Sequence, residues 1–228
     1  MGLSLLGWCM NPRALTKSEV EALFRGYPYR PSSLYVIGNT SWGGSVAVVG
    51  TRKPSPEAVG LTRRLVRELV GNGFKPIITG GAPGIDTVVA NELINLRERP
   101  VIVRPCFDNN ARQWASRGGV IIMESVECPV DYARALVFRD RIIAGLARVI
   151  IVPEARAWRL GGGSDKPCCG TWYTAVKFRE GRRVFILKPL VGDEEVHEAF
   201  RVFVGSGAVP VGSIDELLAR LRGLFPWV

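Results

Sequence analysis

The sequence predicts an α/β protein in which helices cover both faces of a mostly parallel sheet. Apolar strand segments alternate with helical segments along most of the 228 residues. Nearly every position in those strand segments is apolar, which is typical of strands that are buried on both faces. The predicted strands cover residues 34–37, 46–49, 76–79, 101–103, 120–123, 149–152 and 184–187.

Helical segments separate these strands. The first begins with a capping box, because Thr16 precedes Glu19 by three positions. We expect residues 1–33 to form a short helical N-terminal extension and residues 34–228 to form one domain. A helix of about five turns is predicted after Ser55 and another from Asp86 to about Leu96, and the other predicted helices cover residues 16–25, 109–117, 138–147, 170–179 and 213–221.

The composition indicates a folded protein with an anionic partner. Hydrophobic residues make up 47% of the chain, which is enough for a full core, and the net charge is +9. The basic residues are 24 arginines and 6 lysines. Arginine favours bidentate contacts with phosphate, although codon bias or a hot habitat explains the arginine excess equally well. The positive charge favours a polyanionic ligand.

Metal and histidine chemistry are not expected. There is one histidine, His197, and no C-x-x-C pair, so the sequence predicts neither a metal site nor a cofactor. An odd cysteine count is typical of a reducing cytoplasm, and no apolar run is long enough to span a membrane. We therefore expect a cytoplasmic protein. The five cysteines are Cys9, Cys106, Cys128, Cys168 and Cys169.

Two glycine-containing turns follow consecutive predicted strands. Because the carboxyl ends of parallel strands meet at one sheet edge, these turns predict a ligand site there, and an anion suits its basic side chains. Neither turn has the G-x-G-x-x-G pattern or a Walker lysine, so the commonest nucleotide motifs are absent. The residues that we expect at the site are Gly50, Thr51, Arg52 and Lys53 in the first turn and Gly80, Gly81 and Gly84 in the second.

Several segments together resemble the DNA-processing protein A (DprA/Smf) family. The likeness runs in order from about residue 27 to about residue 212, and no single motif carries it alone. The similar segments are Leu-Tyr-Val-Ile-Gly-Asn at 34–39, Val-Gly-Thr-Arg at 49–52, Thr-Gly-Gly-Ala-Pro-Gly-Ile-Asp at 79–86, Phe-Arg-Asp-Arg-Ile-Ile-Ala-Gly-Leu at 138–146, Glu-Ala at 154–155, Cys-Gly-Thr-Trp-Tyr-Thr-Ala at 169–175 and Arg-Arg-Val-Phe at 182–185.

The resemblance implies a Rossmann-like fold that binds single-stranded DNA by its phosphates, without catalysis. It also implies a homodimer that processes and protects DNA and hands it to a RecA-type recombinase. In addition to the two turns, it brings two further segments to the site. We expect residues 138–141 to begin a helix at the ligand edge. The further site residues are Arg139, Asp140, Arg141, Gly170 and Thr171.

Other residues near these motifs have two interpretations. Trp158, Trp172 and Tyr173 offer faces for unstacked bases, but Trp172 fits core packing equally well. Asp86 and Glu154 are better explained as residues that hold turns than as catalytic acids. Arg139 and Arg141 also suit ion pairs with Glu124 or Asp131 instead of phosphate.

The chain departs from the family pattern at four places. Pro83 replaces an arginine, and Asp140 replaces an asparagine, so a hydrogen-bond donor is lost where phosphate is expected. Residues 156–168 form an insertion. We also expect no winged-helix domain and a reduced N-terminal helical region. These differences argue against duplex contacts and against tight phosphate binding, but they do not affect the predicted fold.

Two other classes of function remain open. One is a nucleotide enzyme or sensor similar to nucleoside-monophosphate phosphoribohydrolases, which carry a Gly-Gly-x-Gly-Thr turn before a helix. Cys168-Cys169-Gly170-Thr171 is a partial likeness, but no glutamate follows Thr171 within residues 174–178. The other is a purely structural domain.

Overall fold

The structure, a computed structural model, describes residues 11–39, 45–158 and 167–225. Within these ranges one sheet contains nine strands. The strands are β1 (Arg13–Ala14), β2 (Tyr35–Ile37), β3 (Val46–Val48), β4 (Ile77–Thr79), β5 (Val101–Arg104), β6 (Val120–Met123), β7 (Val149–Val152), β8 (Arg183–Leu187) and β9 (Val209–Val211).

Eight α-helices occur in the same ranges, and the sixth continues as a π-helical segment over Tyr173–Lys177. Side chains cap most of their N-termini. The helices are α1 (Lys17–Leu23), α2 (Pro56–Gly71), α3 (Ile85–Asn95), α4 (Asn109–Ser116), α5 (Tyr132–Leu146), α6 (Gly170–Trp172), α7 (Glu194–Gly205) and α8 (Ile214–Arg222).

The strand order is β1-β2-β6-β5-β4-β3-β7-β8-β9. Strands β3 to β9 run parallel, whereas β2 is antiparallel to both β1 and β6. The chain moves from β3 through β4 and β5 to β6, and then crosses to β7 on the other side of β3. This reversal makes the carboxyl ends of β3 and β7 the topological switch point, where doubly wound sheets bind ligands.

The sheet is covered on both faces, as the sequence predicts. In β3, Ala47 contributes to the core that contains residues of α1, α5 and α7, whereas Val46 and Val48 contribute to the core with α2, α3 and α8. All three side chains are completely buried. Alternate residues of a strand point to opposite faces, so a strand that is apolar at every position requires both layers.

The predicted α/β class and the predicted strands are confirmed, but several helical assignments need correction. The helix expected to begin at residue 138 begins at Tyr132, six residues earlier, where the Asp131 side chain accepts a hydrogen bond from the Arg134 amide. Residues 138–141 therefore lie in the middle of α5. The sequence interpretation also omitted β1, α7 and β9. A glycine-containing turn, which the sequence also predicts at residues 41–45, falls mainly outside the described residues.

The N-terminal segment packs onto the sheet. The capping box is confirmed, because the Glu19 amide donates to the Thr16 hydroxyl over 3.2 Å and the Thr16 amide donates to Glu19 Oε2 over 2.7 Å. Phe24 lies against Gly145 of α5 so closely that a Cβ there would be 2.5 Å from its ring. The division into an extension and a domain at residue 33 stays a prediction.

The structure contains a disulfide that the sequence did not predict. Cys106, buried after β5, forms a disulfide with Cys128 in the loop after β6, with 5.0 Å between their Cα atoms. Cys168 and Cys169 are free thiols. Among the described helices, none combines the length and apolar character that crossing a bilayer would require.

Candidate functional site

The loop between β3 and α2 lies at the switch point and is held by Glu154, which follows β7. The Glu154 carboxylate accepts hydrogen bonds from the Ser55 amide over 2.9 Å and from the Ser55 hydroxyl over 2.6 Å. Its backbone carbonyl accepts a further bond from the Thr51 amide, also over 2.9 Å. The prediction that Glu154 holds a loop amide is confirmed.

Arg52 and Lys53 are exposed on this loop. Thr51, immediately before them, is buried, and its hydroxyl accepts a hydrogen bond from the Lys53 amide over 3.2 Å. The two cations therefore extend from a backbone whose position is fixed on both sides. An arginine presented in this way can donate two parallel hydrogen bonds to a phosphate.

The glycines of the second turn allow it to pack against the first. At Gly84, where φ is +88°, a Cβ would lie 2.3 Å from the Thr51 carbonyl oxygen. That oxygen accepts a hydrogen bond from the Ile85 amide over 3.1 Å. A Cβ at Gly50 would lie 2.7 Å from the Glu154 carbonyl. These two glycines thus bring three backbone segments together at the switch point.

Gly80 and Arg139 are joined directly. Arg139 Nη1 donates to the carbonyl oxygens of Gly80 and Val103, each over 2.7 Å, and a Cβ at Gly80 would lie 2.2 Å from that nitrogen. The guanidinium is buried, with only 5% of the side chain exposed. The prediction that Arg139 begins a helix at the ligand edge is wrong, because it lies inside α5 and ties the ends of β4 and β5 to that helix.

Gly81, the remaining glycine of this turn, has a φ of +65° and is buried beside α4. A Cβ there would lie 2.7 Å from Ile102 and 3.1 Å from both Asn110 Oδ1 and Trp114 Nε1. Both of those polar atoms are buried without a hydrogen-bond partner. The backbone at Gly81 therefore requires glycine for its conformation as well as for its packing.

A second buried arginine, which the sequence interpretation missed, supports the same turn. Arg104 Nη1 donates to the Gly80 carbonyl over 3.1 Å, and its other nitrogens donate to Asp108 Oδ2 and to the Tyr132 hydroxyl. Arg104 is the last residue of β5 and comes directly after the apolar residues 101–103, much as Arg52 comes after the apolar strand β3. The same reasoning that selected Arg52 would have placed Arg104 at this edge.

Asp140 lies beside Arg139, with 3.2 Å between Arg139 Nε and Asp140 Oδ1. Burial, together with the negative charge of Asp86, raises the pKa of Asp140 to about 7 against the lowering effects of Arg139, the Thr174 hydroxyl and Arg52. Its side chain is 13% exposed. Asp140 therefore faces Arg139, and its charge also interacts with that of Arg52.

Asp86 holds the second turn, as predicted. Its Oδ2 accepts a hydrogen bond from the Ala82 amide over 3.3 Å. Burial raises the pKa of Asp86, and the charge of Arg139 opposes that increase. The four groups Arg52, Asp86, Arg139 and Asp140 thus form one electrostatic cluster, in which only Arg52 is exposed to solvent.

Arg141 does not share this cluster's contacts. Its Nη2 donates to Glu124 after β6, which confirms the ion-pair interpretation. Residues two positions apart on a helix point in different directions, so Arg139 and Arg141 cannot both face one ligand. The expectation that they flank a common helix N-terminus is wrong because α5 begins earlier.

Gly170 and Thr171 begin α6, and the π-helical segment that follows packs against α5. Space around Gly170 is open, since no atom lies within 4 Å of a Cβ built there. Thr171 is buried, and Thr174, one turn later, reaches Asp140. This packing brings the second half of the chain to the cluster.

The three aromatic candidates for base stacking differ in their exposure to solvent. Trp172 is a core residue with 8% exposure, and Tyr173 packs edge-on against it with 5.6 Å between ring centroids. Trp158 is 58% exposed.

The insertion that begins at Arg156 is anchored on α7 by ion pairs from Arg156 to Asp193 and Glu195, at 2.6 and 3.1 Å. Residues 159–166 of the insertion lie outside the described residues.

The doubly wound sheet, with a basic loop at its switch point and a glycine-rich turn packed against that loop, defines a Rossmann-like α/β protein. Comparison with known proteins gives its family. A model of the DNA recombination-mediator protein A family matches residues 15–222, so the chain belongs to that family. The predicted membership is confirmed.

One curated relative is the protein Smf of Synechocystis sp., which is 28% identical over 231 residues. That alignment covers 94% of this chain and 55% of the relative, so the chain spans about half the relative's length. Among solved structures, DNA processing protein A from Helicobacter pylori superposes with a TM-score of 0.73 at 21% identity, covering 94% of this chain and 97% of that one. Its structure addresses a single-stranded DNA binding mode.

DNA processing protein A from Streptococcus pneumoniae superposes with a TM-score of 0.66 at 23% identity, covering 90% of this chain and 78% of the other. A molybdenum cofactor binding protein from Rippkaea orientalis gives a TM-score of 0.53 at 12% identity, covering 79% and 96%. At these identities the superpositions establish the fold. Function must be argued from this chain's own residues.

Proposed function

We propose that this protein binds single-stranded DNA at the carboxyl edge of its sheet, through backbone phosphates. The observation that carries the proposal is the exposure of Arg52 and Lys53 on a loop fixed at the switch point by Thr51 and Glu154. Family membership supports DNA processing as the context. The absence of any atom within 4 Å of a Cβ at Gly170 is consistent with an accessible α6 N-terminus.

The site residues have two different roles in this proposal. Arg52 and Lys53 contact phosphate, and the α6 N-terminus at Gly170 and Thr171 contributes amide groups. The remaining residues shape the backbone and supply charge from below, without touching DNA. They are Gly50, Thr51, Gly80, Gly81, Gly84, Arg139 and Asp140.

We propose the wider role of the protein from its family membership. The protein would protect single strands during DNA processing and recombination in the cytoplasm, act as a homodimer, and pass the strand to a RecA-type recombinase. It would do so by binding alone, because DNA transfer needs no bond to be made or broken.

The test is a titration of labelled single-stranded DNA, blunt-ended duplex and mononucleotides by fluorescence anisotropy at several salt concentrations. Three or four phosphate contacts predict a log–log salt slope of about −2 to −3 for the single strand, with weaker binding to duplex. Arg52→Ala should weaken single-strand binding by about 1.5–3 kcal/mol, the range for a charge-assisted hydrogen bond.

The matched control is Arg63→Ala, an exposed arginine in the middle of α2 that removes the same charge away from the loop. If Arg52→Ala binds as tightly as the unmodified protein, Arg52 is a solvated surface charge and the proposal fails. A salt-independent affinity would contradict phosphate contact altogether.

A further inference from the structure

The opposite, amino edge of the sheet carries a row of basic side chains that the proposed single-strand site does not use. Each residue of the row stands before, or at the start of, one of the strands β4 to β8, and each is exposed. We call it the amino-edge row. Its members are Lys75, Arg97, Arg99, Arg117, Arg148 and Arg183.

Backbone contacts make this row continuous. The Val120 amide donates to the Pro100 carbonyl over 2.9 Å, which joins the segments before β6 and β5. The Val46 amide donates to the Pro76 carbonyl over 3.1 Å, and the Arg148 amide donates to the Ser45 carbonyl over 3.0 Å. Arg183 is the register partner of Val149. Five intervals between neighbouring strands separate β6 from β8. Each interval is about 4.8 Å wide, so the row is about 24 Å long.

The row holds much of the protein's positive charge. The segments that contribute it also contain Arg179 and Arg182, which are half-buried, and two carboxylates. Glu98 pairs with Lys75 over 2.6 Å, and Glu180 is exposed. Eight basic and two acidic residues leave a surplus of six charges, out of a net +9 for the chain.

The carboxyl edge does not share this surplus. Its loop after β3 has Arg52 and Lys53, but the loop at residues 124–131 carries three carboxylates and no basic residue. Arg104 and Arg139 are buried there against carbonyl and carboxylate oxygens. Among the described segments, those before strands β4 to β8 therefore carry more exposed positive charge than the loops after β3 and β6.

Two aromatic rings beside the row are covered by arginine side chains. The Arg117 guanidinium lies over Trp114 at 4.8 Å from the ring centroid, and that of Arg148 lies over Phe225 at 5.1 Å, and both rings are buried. Proteins that grip single strands add exposed aromatic faces on which bases stack. The rings under Arg117 and Arg148 offer no such face, and the one partly exposed ring described near the row is Tyr29, which packs edge-on against Tyr27 and Phe178. A ligand whose phosphates face outward and whose bases are stacked inside fits the row better.

We infer that the amino-edge row is a second nucleic-acid site, which binds the phosphate backbone of duplex DNA without reading its sequence. A length of about 24 Å matches roughly seven base pairs of duplex. One molecule could then hold a single strand at the carboxyl edge and an adjoining duplex at the amino edge. The duplex site itself does not depend on the single-strand proposal.

The experiment compares Arg97→Gln/Arg183→Gln with the unmodified protein on a blunt-ended duplex, across a salt titration. Glutamine keeps the side-chain stem, and at Arg97, whose φ is +60°, it is strained no more than arginine. The matched control is Arg63→Gln/Arg64→Gln, which removes the same charge from the exposed face of α2. We expect the row variant to bind duplex about tenfold more weakly, with a salt slope shallower by about two.

Single-strand binding separates this inference from the proposed function. The row variant should keep its affinity for single-stranded DNA, and Arg52→Ala should keep its affinity for duplex. If the row variant and the control bind duplex equally, the duplex site is absent. If duplex fails to bind while vesicles containing phosphatidylserine or polyglutamate bind through the row, its partner is a membrane or an acidic protein, and the inference is overturned.

Discussion

Asp140 should make this protein less stable as pH rises, and Asp140→Asn should remove that effect. Burial raises the pKa of this carboxyl to about 7 in the folded protein, from a usual value near 3.8. Between these two values the folded state binds more protons than the unfolded state. Stability contributed by such a group is therefore complete at low pH and is lost as pH rises toward 7.

The magnitude follows from the shift in pKa. A difference of about three pKa units, at 1.36 kcal/mol each, gives a loss of about 4 kcal/mol between pH 4 and pH 8. The positive charges of Arg139 and Arg52 and the hydroxyl of Thr174 already oppose the shift, so the value is a net effect. Asparagine resembles the protonated form, because it is neutral and can still accept a bond from Arg139 Nε.

The assay is urea denaturation of both proteins from pH 4 to pH 8. Titrations elsewhere in the chain cancel in the difference between the two free energies of unfolding. We expect the asparagine variant to gain about 4 kcal/mol relative to the unmodified protein across this range. A difference that stays constant with pH would show that Asp140 keeps one protonation state, and the electrostatic cluster described above would then be incorrect.

The same substitution tests the coupling between Asp140 and Arg52. As Asp140 ionises, its negative charge repels a phosphate bound at the loop, and this effect is partly offset by Arg139. Single-strand affinity of the unmodified protein should therefore fall between pH 6 and pH 8, and that of Asp140→Asn should change less. The Asn variant should bind more tightly at pH 8; equal pH profiles would mean that the charge does not reach the ligand.

Three further outcomes are expected. Gly84→Ala should destabilise the protein by more than about 2 kcal/mol, because φ is +88° and a Cβ meets the Thr51 carbonyl at 2.3 Å; a thermal melt within a degree or two of the unmodified protein would contradict this. Glu154→Ala should leave the buried Ser55 amide without its acceptor, costing about 1–3 kcal/mol in urea denaturation and weakening single-strand binding, whereas Glu154→Gln should retain most of both. No free base should be released from nucleoside monophosphates, because the helical segment after Thr171 has no carboxylate among residues 172–178; release above the buffer background would favour a nucleotide enzyme.

Much of the fold was determined by local sequence. Completely apolar strands required a layer on each face, and Val46, Ala47 and Val48 divide between the two cores as that pattern demands. The capping box at Thr16 and the strand-to-helix turns were also readable, since each depends on residues close in the chain. Family membership followed from the order of short motifs.

The antiparallel pairing of β2 was not predicted, because register and direction depend on a partner far along the chain. The helix α7 could have been found from its Asp193 cap and from the apolar spacing of Val196, Ala199 and Val202. The start of α5 could have been found in the same way, from its Asp131 cap. Asp131 lies outside the family-like motif at residues 138–146, on which the predicted start was based.

The roles of the site residues were decided by tertiary structure. Arg52 and Arg139 are both arginines in family-like motifs, yet one is exposed on a loop and the other is buried against the carbonyl oxygens of Gly80 and Val103. The sequence determined which residues would gather at the carboxyl edge, because strand direction is encoded by alternating strands and helices. Which of those charges face solvent depends on packing between β4, β5 and α5, and that packing joins residues up to 59 positions apart.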